Sequence, residues 1–428
     1  MIYLYSLRLK NMKLLADQEF SFLDPDGQPR MWTVLLGDNG CGKTTLLQAI
    51  ALASSSDTMT RVLAEDARDF VRASNPTETA SIRGLFCSVN KTPLRAHLEV
   101  TPSSHEFVSR GDHVLTMIRR QREPGFFVAG YGVGRRLARP GEVAIPRDPL
   151  INRLQGLFDG HHKMLGLEFG QALQELGLEE PFIDILEALL TSTGPDGDPL
   201  LPGLKKVRRE VVVAGGQRVD VGLEMDFGGE VVILSPALLS QGYQSLIAWL
   251  GELTGQILLE QKRAVPPSEM SGIVLLDELD LHLHPTWQRR IVPVLRAMFP
   301  KIQFIVTTHS PLLLTGFERH EIIRLRFEEG LIVQDEVPPF EPATQSASQL
   351  LTTFFNTPTA TRPGLKEKVR DYHDLLARDD LDVGESQRLE VLRVELEPYF
   401  EAALREPKLS VPVDAEELRA KIEALERG

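Results

Sequence analysis

The stretch Gly37-Asp38-Asn39-Gly40-Cys41-Gly42-Lys43-Thr44 carries the pattern Gly-x-x-x-x-Gly-Lys-[Ser/Thr]. The apolar residues 32–36 before it predict a buried strand, and residues 45–53 after it have the composition and apolar spacing of a helix. Strand, glycine-rich loop and helix form the context of a P-loop, in which backbone N–H groups and the helix dipole face a phosphate. A glycine-rich turn that matches a short pattern by chance would not account for both flanks. We therefore expect a site for a nucleoside triphosphate.

The P-loop pattern also assigns roles to its side chains. Lys43 would reach the β- and γ-phosphates, and the hydroxyl of Thr44 would hold Mg²⁺. The residues predicted to contact the nucleotide from this segment are Asn39, Gly40, Cys41, Gly42, Lys43, Thr44 and Thr45.

Composition excludes several other classes of protein. The 428 residues are enough for two or three domains, and no apolar run is long enough to span a bilayer. The two cysteines, Cys41 and Cys87, argue against a disulfide framework and favour a reduced, cytoplasmic compartment. A net charge of −13 argues against a protein that coats nucleic acid, although a local basic groove stays open.

Hydrophobic patterning divides the chain into four predicted segments. Strands are expected at 2–9, 17–22, 80–86, 96–100, 125–132, 210–213 and 219–225, with a hairpin turn at Gly215-Gly216. The polar tail is expected to form two or three amphipathic helices ending in 416–427, which either close the fold or bind a partner. The predicted domains are an N-terminal ATPase lobe (1–140), a helical insertion with a hairpin (141–235), a C-terminal ATPase lobe (236–340) and a helical tail (341–428).

A second motif lies far along the chain, at Ile273-Val274-Leu275-Leu276-Asp277-Glu278. Four apolar residues followed by two acids are typical of a buried parallel strand, whose carboxyl end is where α/β sheets place their ligands. Asp277 would bind Mg²⁺ through its water shell, and Glu278 would orient and deprotonate the attacking water. Buried strands often end in an acid without any such role, so this interpretation depends on the P-loop.

Two further segments complete the candidate site. Residues 302–306 predict a strand that ends at His309, which would bond the γ-phosphate or, alternatively, be an ordinary structural histidine. Ser240 precedes a helical segment as a predicted N-cap, and the free N–H groups there, together with Gly242, would bind an anion. The alternative for Ser240 is an ordinary helix cap.

The order of these motifs resembles that of ABC-type ATPases. The resemblance implies an α/β P-loop NTPase fold with a mixed sheet core, an antiparallel N-terminal subdomain and an inserted helical lobe. It also implies two heads that sandwich two ATP molecules and hydrolyse them. Ser240 and Gly242 would then act on the nucleotide of the partner copy, while Lys43, Asp277, Glu278 and His309 act on their own.

Particular residues narrow the resemblance. Asn39-Gly40 and the segment Leu283-His284-Pro285 resemble SMC-like and RecF-like heads. Tyr131-Gly132-x-x-Arg135 and Ser240-Gln-Gly-Tyr-Gln-Ser are similar to compact ATPases of bacterial anti-phage systems, such as Septu-type and retron-linked ATPase subunits. No long coiled coil, metal-contacting glutamine, D-loop aspartate or Toprim nuclease domain is expected.

The sequence is compatible with several functions. The resemblance favours an ATP-sandwiched homodimer, or a higher oligomer, that senses DNA or RNA and controls a partner nuclease in phage defence, with no membrane partner. The alternatives are a RecF-like repair ATPase, a transporter motor and a nucleotide-gated binding module. Each basic cluster in the sequence is either a nucleic-acid contact or a solvated face: Arg119, Arg120 and Arg122; Arg135, Arg136 and Arg139; Lys205, Lys206, Arg208 and Arg209.

Overall fold

The computed structural model describes residues 1–88, 92–110, 126–135, 149–162, 164, 167, 169–194, 197–212, 218–357, 368, 371–372, 375 and 383–404. The chain divides into two compact units, Met1–Pro358 and Thr359–Gly428. In chain order, the strands are β1 (Ile2–Met12), β2 (Leu15–Ser21), β3 (Trp32–Leu36), β4 (Ala80–Ser88), β5 (Pro93–Val100), β6 (Val108–Ser109), β7 (Val128–Tyr131), β8 (Leu204–Val212), β9 (Arg218–Asp226), β10 (Val231–Leu234), β11 (Ser271–Leu276), β12 (Lys301–Thr307), β13 (Ile322–Glu328) and β14 (Leu331–Asp335). The α-helices are α1 (Lys43–Ala53), α2 (Asp57–Leu63), α3 (Pro149–Gln155), α4 (Gly170–Glu175), α5 (Glu179–Thr191), α6 (Gln241–Gln261), α7 (Pro285–Met298), α8 (Pro311–Leu314), α9 (Ala347–Thr353) and α10 (Val383–Leu404).

A six-stranded sheet in the first unit carries the strands of the predicted motifs, in the order β14-β13-β3-β12-β11-β7. Strands β13, β3, β12, β11 and β7 are parallel, and β14 pairs with β13 antiparallel at the edge. All of β3 and residues 272–276 of β11 are buried, which explains their continuous apolar sequences. Because parallel strands end on the same side, the loops after β3, β11 and β12 meet at one edge of the sheet.

The second sheet is antiparallel, with the order β2-β1-β4-β5-β6. Its apolar side chains share a hydrophobic cluster with helix α1, to which Leu4, Phe20 and Phe86 contribute fully buried side chains. Gln303 of β12 links the six-stranded sheet to Leu4 of β1 in the antiparallel sheet. Its side-chain amide accepts a hydrogen bond from the Leu4 N–H at 2.8 Å and donates one to the Leu4 carbonyl at 3.0 Å. The predicted antiparallel N-terminal subdomain is thereby confirmed.

The inserted segment contains helices α3, α4 and α5, followed by the three-stranded antiparallel sheet β10-β9-β8. Helix α5 buries Phe182, Leu186 and Leu189 at helical spacing, in the same cluster as the apolar face of α6. Strands β8 and β9 are longer than the segments predicted at 210–213 and 219–225. The predicted turn at Gly215-Gly216 lies outside the described residues.

The second unit contains helix α10, whose Leu392 and Leu396 are buried together with Leu375. Ion pairs between Arg388 and Asp371 (3.0 Å) and between Lys368 and Glu395 (2.7 Å) flank this small cluster. The helix predicted at 416–427 lies outside the described residues. The four domains proposed from the sequence, and the boundaries between them, stay predictions.

Candidate functional site

The P-loop lies at the carboxyl end of β3, between the flanking strands β12 and β13. Helix α1 begins directly at Lys43, and its N-cap Gly42 has φ = 81°, a left-handed conformation that glycine adopts without a steric penalty. The Lys43 Nζ donates to the carbonyls of Gly37 (2.6 Å) and Asp38 (3.0 Å), which holds the ammonium over the loop. A cation and a helix N-terminus thus converge on one point, as a phosphate requires.

Asp277 follows the end of β11, two strands away from β3 in the sheet. The Thr44 hydroxyl donates to Asp277 Oδ2 at 2.6 Å, and the Thr307 hydroxyl donates to Asp277 Oδ1 at 2.6 Å. Both carboxylate oxygens are therefore fixed by threonines at the edge of the same sheet. The two residues predicted as metal ligands, Thr44 and Asp277, lie side by side.

Glu278 adopts a left-handed backbone conformation, with φ = 49°. Such a conformation is uncommon for a residue with a side chain and costs on the order of 1–3 kcal/mol unless the surroundings hold it. The Glu278 N–H donates to Thr307 Oγ1 at 2.7 Å, so the hydroxyl that fixes Asp277 also fixes the next residue. Strain of this kind clusters at functional sites, which supports the role predicted for Glu278.

These segments line one cleft of about 360 Å³, which contains nine of the predicted residues: Asn39, Gly40, Gly42, Lys43, Thr44, Thr45, Asp277, Glu278 and His309. The loop that contains His309 is held by Asp280, which accepts hydrogen bonds from Thr308 Oγ1 (2.5 Å) and the His309 N–H (3.3 Å). Cys41 is not among the residues that line this cleft, and its contact with the nucleotide stays a prediction. Its side chain is buried with the sulfur 3.8 Å from the Lys43 ammonium, and burial raises the pKa of the thiol.

Three residues of the cleft were not found from the sequence: Lys13, Leu14 and Ile332. The Ile332 N–H donates to the Leu14 carbonyl at 2.9 Å, which brings β14 beside the turn between β1 and β2. Lys13 is partly buried over the Phe70 ring, and this burial lowers the pKa of its ammonium. No local pattern marks these positions, since they become neighbours only when the edge strand and the first hairpin meet.

The donor set of the cleft fits Mg²⁺. The Thr44 hydroxyl and the Asp277 carboxylate are hard oxygen donors, and they converge at the start of α1. Mg²⁺ is usually held by one or two carboxylates together with substrate phosphates. Among the described residues, no group of three or more His, Cys, Asp or Glu side chains is placed to hold a metal. Thr44 and Asp277 would hold the ion beside the nucleotide.

Substituting Thr307 by valine is expected to lower the free energy of unfolding by about 1–3 kcal/mol. The hydroxyl is fully buried, and its loss leaves Asp277 Oδ1 and the Glu278 N–H without this partner. Urea unfolding followed by circular dichroism measures the change.

Thr33 provides the matched control for that prediction. It is fully buried on β3, and its hydroxyl has no hydrogen-bond partner within the described part of the chain. Thr33→Val is therefore expected to be neutral or stabilising. Equal losses at the two positions would contradict the role given to the Thr307 hydroxyl.

Ser240 and Gly242 lie elsewhere, in a separate cleft of about 800 Å³ with Tyr243, His282 and Trp287, which shares no lining residue with the P-loop cleft. Ser240 is the N-cap of α6, as predicted, but its side chain makes no capping hydrogen bond and is exposed. Ser240 and Gln241 at the start of this 21-residue helix are exposed, and the Ser240 hydroxyl bonds none of the helix N–H groups. The structure does not bring Ser240 or Gly242 to the nucleotide cleft of the same chain.

Two protein families match separate parts of the chain. Residues 6–84, which contain the P-loop, match a family described as "AAA domain". Residues 203–315, which contain Ser240, Asp277 and His309, match a family described as "AAA domain, putative AbiEii toxin, Type IV TA system". The two matches cover the two halves of the candidate site.

Individual proteins that are similar to the chain are more specific than these two family matches. The Septu protein PtuA of Bacillus mycoides (strain KBAB4) is 25% identical over 417 residues, which are 96% of this chain and 53% of that protein. The "Retron Ec83 probable ATPase" of Escherichia coli is 45% identical over 95 residues, which are 22% of this chain and 17% of that protein. This chain is therefore similar to a Septu protein PtuA and, over a shorter stretch, to a retron ATPase. It spans about half the length of the Septu relative.

The resemblance inferred from the motifs of the chain is confirmed, as is its fold, an α/β P-loop ATPase of ABC type. Among solved structures, the SMC head domain from Thermotoga maritima matches with a TM-score of 0.43 and 17% identity, over 78% of this chain and 100% of that chain. In the described part of the chain, no helix is both long and apolar enough to cross a membrane.

The structure describes only some residues of the basic clusters considered for nucleic acid. On β8, Lys205 pairs with Asp226 (3.1 Å), Arg208 pairs with Glu224 (2.7 Å), and Arg209 pairs with Glu179 and Glu180. Arg135 is buried rather than exposed. The remaining positions, Arg119, Arg120, Arg122, Arg136 and Arg139, lie outside the described residues. Neighbouring acids thus neutralise most of the cluster on β8.

Proposed function

We propose that this chain is an ATPase subunit that binds ATP with Mg²⁺, dimerises around the nucleotide and hydrolyses it. The observation that carries the proposal is the hydrogen bond of 2.6 Å between Thr44 and Asp277. It joins the P-loop to the acidic strand end in a single cleft that also contains Lys43 and Glu278. The similarity to a retron ATPase supports the same activity.

The proposed reaction is an in-line displacement at the γ-phosphorus. A water oxygen forms the new bond as the bond to the bridging oxygen breaks, and the products are ADP and phosphate. Glu278 would orient this water and accept its proton, while Lys43 stabilises the charge on the γ-phosphate oxygens. His309 would bond the γ-phosphate from the end of β12. When bound, Mg²⁺ neutralises charge on the β- and γ-phosphate oxygens.

The separation of the two clefts supports a dimer. Ser240 is exposed at the N-terminus of α6, Gly242 is buried in its first turn, and the cleft that both line shares no residue with the P-loop cleft. Such an N-terminus favours an anion, and the γ-phosphate held by a second copy supplies one. We therefore infer that the site becomes complete only when Ser240 of one copy meets the P-loop of the other.

Light scattering after gel filtration tests the dimer. We expect the Glu278→Gln variant to elute as a dimer with ATP and Mg²⁺ and as a monomer without nucleotide, because ATP stays bound between the copies. Adding Ser240→Glu should restore the monomer, since a carboxylate would face the γ-phosphate across the interface.

Ser268 is the matched control for that experiment, because it is an exposed serine in the short 3-10 helix Pro267–Glu269. The same charge introduced there, Ser268→Glu, should leave the ATP-dependent dimer intact. A dimer that tolerates Ser240→Glu equally well would contradict the proposed interface.

The partner is the second part of the proposal. We infer that the ATP cycle controls an effector nuclease in bacterial anti-phage defence, in the cytoplasm, with DNA or RNA as the signal. The similarity to a Septu protein and to retron ATPases supports this role. Because acids pair with the described cluster on β8, a basic surface would need the other clusters of the sequence.

Affinity purification of tagged Glu278→Gln from the native host, with ATP and Mg²⁺, tests the partner. A small nuclease in the eluate would support the defence role. Nucleic acid alone would favour a RecF-like repair ATPase, and a permease would overturn the proposal.

A further inference from the structure

The Arg135 side chain donates hydrogen bonds to the backbone of the two acidic residues at the end of β11. Its Nη1 donates to the Asp277 carbonyl at 2.5 Å, and its Nη2 donates to the Glu278 carbonyl at 2.6 Å. A planar guanidinium presents a separate nitrogen to each acceptor in a fixed geometry, whereas an ammonium has only one nitrogen to offer both. The sequence groups Arg135 with basic residues that could contact nucleic acid, but the side chain is only 4% exposed.

Burying this cation is costly. Desolvation lowers the pKa of Arg135 to about 10, against the opposing effect of Asp277, Asp280 and Glu278. The Nε–H has no hydrogen-bond partner within the described residues, so part of the group stays unpaired. A buried charge that is incompletely paired is weak evidence for stability and points to another role.

The peptide units around Glu278 are held from both directions. Its N–H donates to Thr307 Oγ1 at 2.7 Å, and its carbonyl accepts from Arg135 Nη2 at 2.6 Å. Between these two contacts lies the left-handed conformation of Glu278. A strained backbone conformation persists only where several contacts hold it in place. Here the Thr307 hydroxyl and the Arg135 guanidinium provide two such contacts.

The segment that carries Arg135 is itself closely packed. It follows β7, which pairs with β11 through Leu276 and Tyr131. A Cβ atom at Gly132 would lie 2.0 Å from the Gly156 carbonyl oxygen, so only glycine permits this approach. The guanidinium is therefore presented from a fixed support beside the end of β11.

We propose that Arg135 is a positioning residue for ATP hydrolysis, whose guanidinium holds the Glu278 backbone so that the carboxylate points into the nucleotide cleft. This inference rests on the proposed function of the chain. Arg135 itself does not line the nucleotide cleft, so it acts through Glu278 rather than on the substrate.

A double-mutant cycle tests this role. Arg135→Lys keeps the positive charge but loses the two nitrogens that bond the two carbonyls separately. We expect kcat to fall about 10–100-fold with the KM and Kd for ATP unchanged. In the Glu278→Gln background the same substitution should slow turnover by no more than about twofold, because the group that it positions is already disabled.

Arg153→Lys is the matched control, because Arg153 is also buried and bonds Gln256 (3.1 Å) and Glu260 (3.0 Å) on helix α6. We expect this substitution to lower Tm without the selective loss of kcat. Equal losses of kcat from Arg135→Lys in both backgrounds, or a matching rise in KM, would overturn the proposal.

A second variant keeps the test decisive if Arg135→Lys does not fold. Arg135→Met removes the buried charge with little change in volume, so it does not require a shorter cation to be buried at the same place. It should fold and still lose kcat, and wild-type turnover in this variant would overturn the proposal. If the wild-type chain itself hydrolyses no ATP, the proposed function fails too, whereas wild-type turnover with normal Arg135 variants removes this inference alone.

Discussion

Glu278→Gln is expected to slow ATP hydrolysis by about 10²–10⁴-fold while ATP affinity stays close to that of the wild-type chain. The amide keeps the shape of the side chain but cannot accept a proton from the attacking water. The contacts of Glu278 with Thr307 and Arg135 are made by its main chain, so the substitution leaves them in place. Steady-state phosphate release gives kcat, and isothermal titration with ATP gives Kd.

Glu269→Gln is the control for this charge change, because Glu269 is exposed in the short 3-10 helix Pro267–Glu269. It should leave both kcat and Kd unchanged. If Glu278→Gln hydrolyses ATP at the wild-type rate, Glu278 is not the base. If ATP affinity falls as far as kcat, the side chain acts in binding rather than in the chemical step.

The strands and the P-loop were predictable because their signals are local. Each of β3 and β11 is a continuous apolar segment in the sequence. The first is followed by the P-loop and the second by two acidic residues. Parallel strands end on one side of a sheet, so the proximity of Lys43 to Asp277 also followed from the pattern. The structure places Thr44, Asp277 and Glu278 in one cleft, as expected.

The supporting contacts were not predictable, because each joins residues that only the folded chain brings together. Thr307 lies in an apolar strand sequence, and nothing nearby indicates that its hydroxyl bonds Asp277. Arg135 looked like part of a basic surface because charge alone does not reveal burial. The acids that pair with Arg208 and Lys205 lie on the neighbouring strand β9, and the register of that hairpin could not be read from the sequence.

Lys43→Ala is expected to raise the Kd for ATP by about 10–100-fold, because a charge-assisted hydrogen bond contributes about 1.5–3 kcal/mol and 1.4 kcal/mol is a factor of ten. The Lys43 ammonium is held over the P-loop by the carbonyls of Gly37 and Asp38. Isothermal titration measures the affinity, and the rise in Tm on adding ATP should shrink in parallel.

Lys10→Ala is the control for Lys43→Ala, because Lys10 is an exposed lysine of β1 that pairs with Glu78 at the surface. It should leave the Kd for ATP unchanged, and an unchanged isotherm for Lys43→Ala would contradict the P-loop assignment. The two substitutions separate the effect on ATP binding from the effect on the chemical step. Lys43→Ala should act on Kd and Glu278→Gln on kcat, although both residues line one cleft. A cleft that bound ATP without hydrolysing it would respond to the first substitution and show no turnover for the second to reduce.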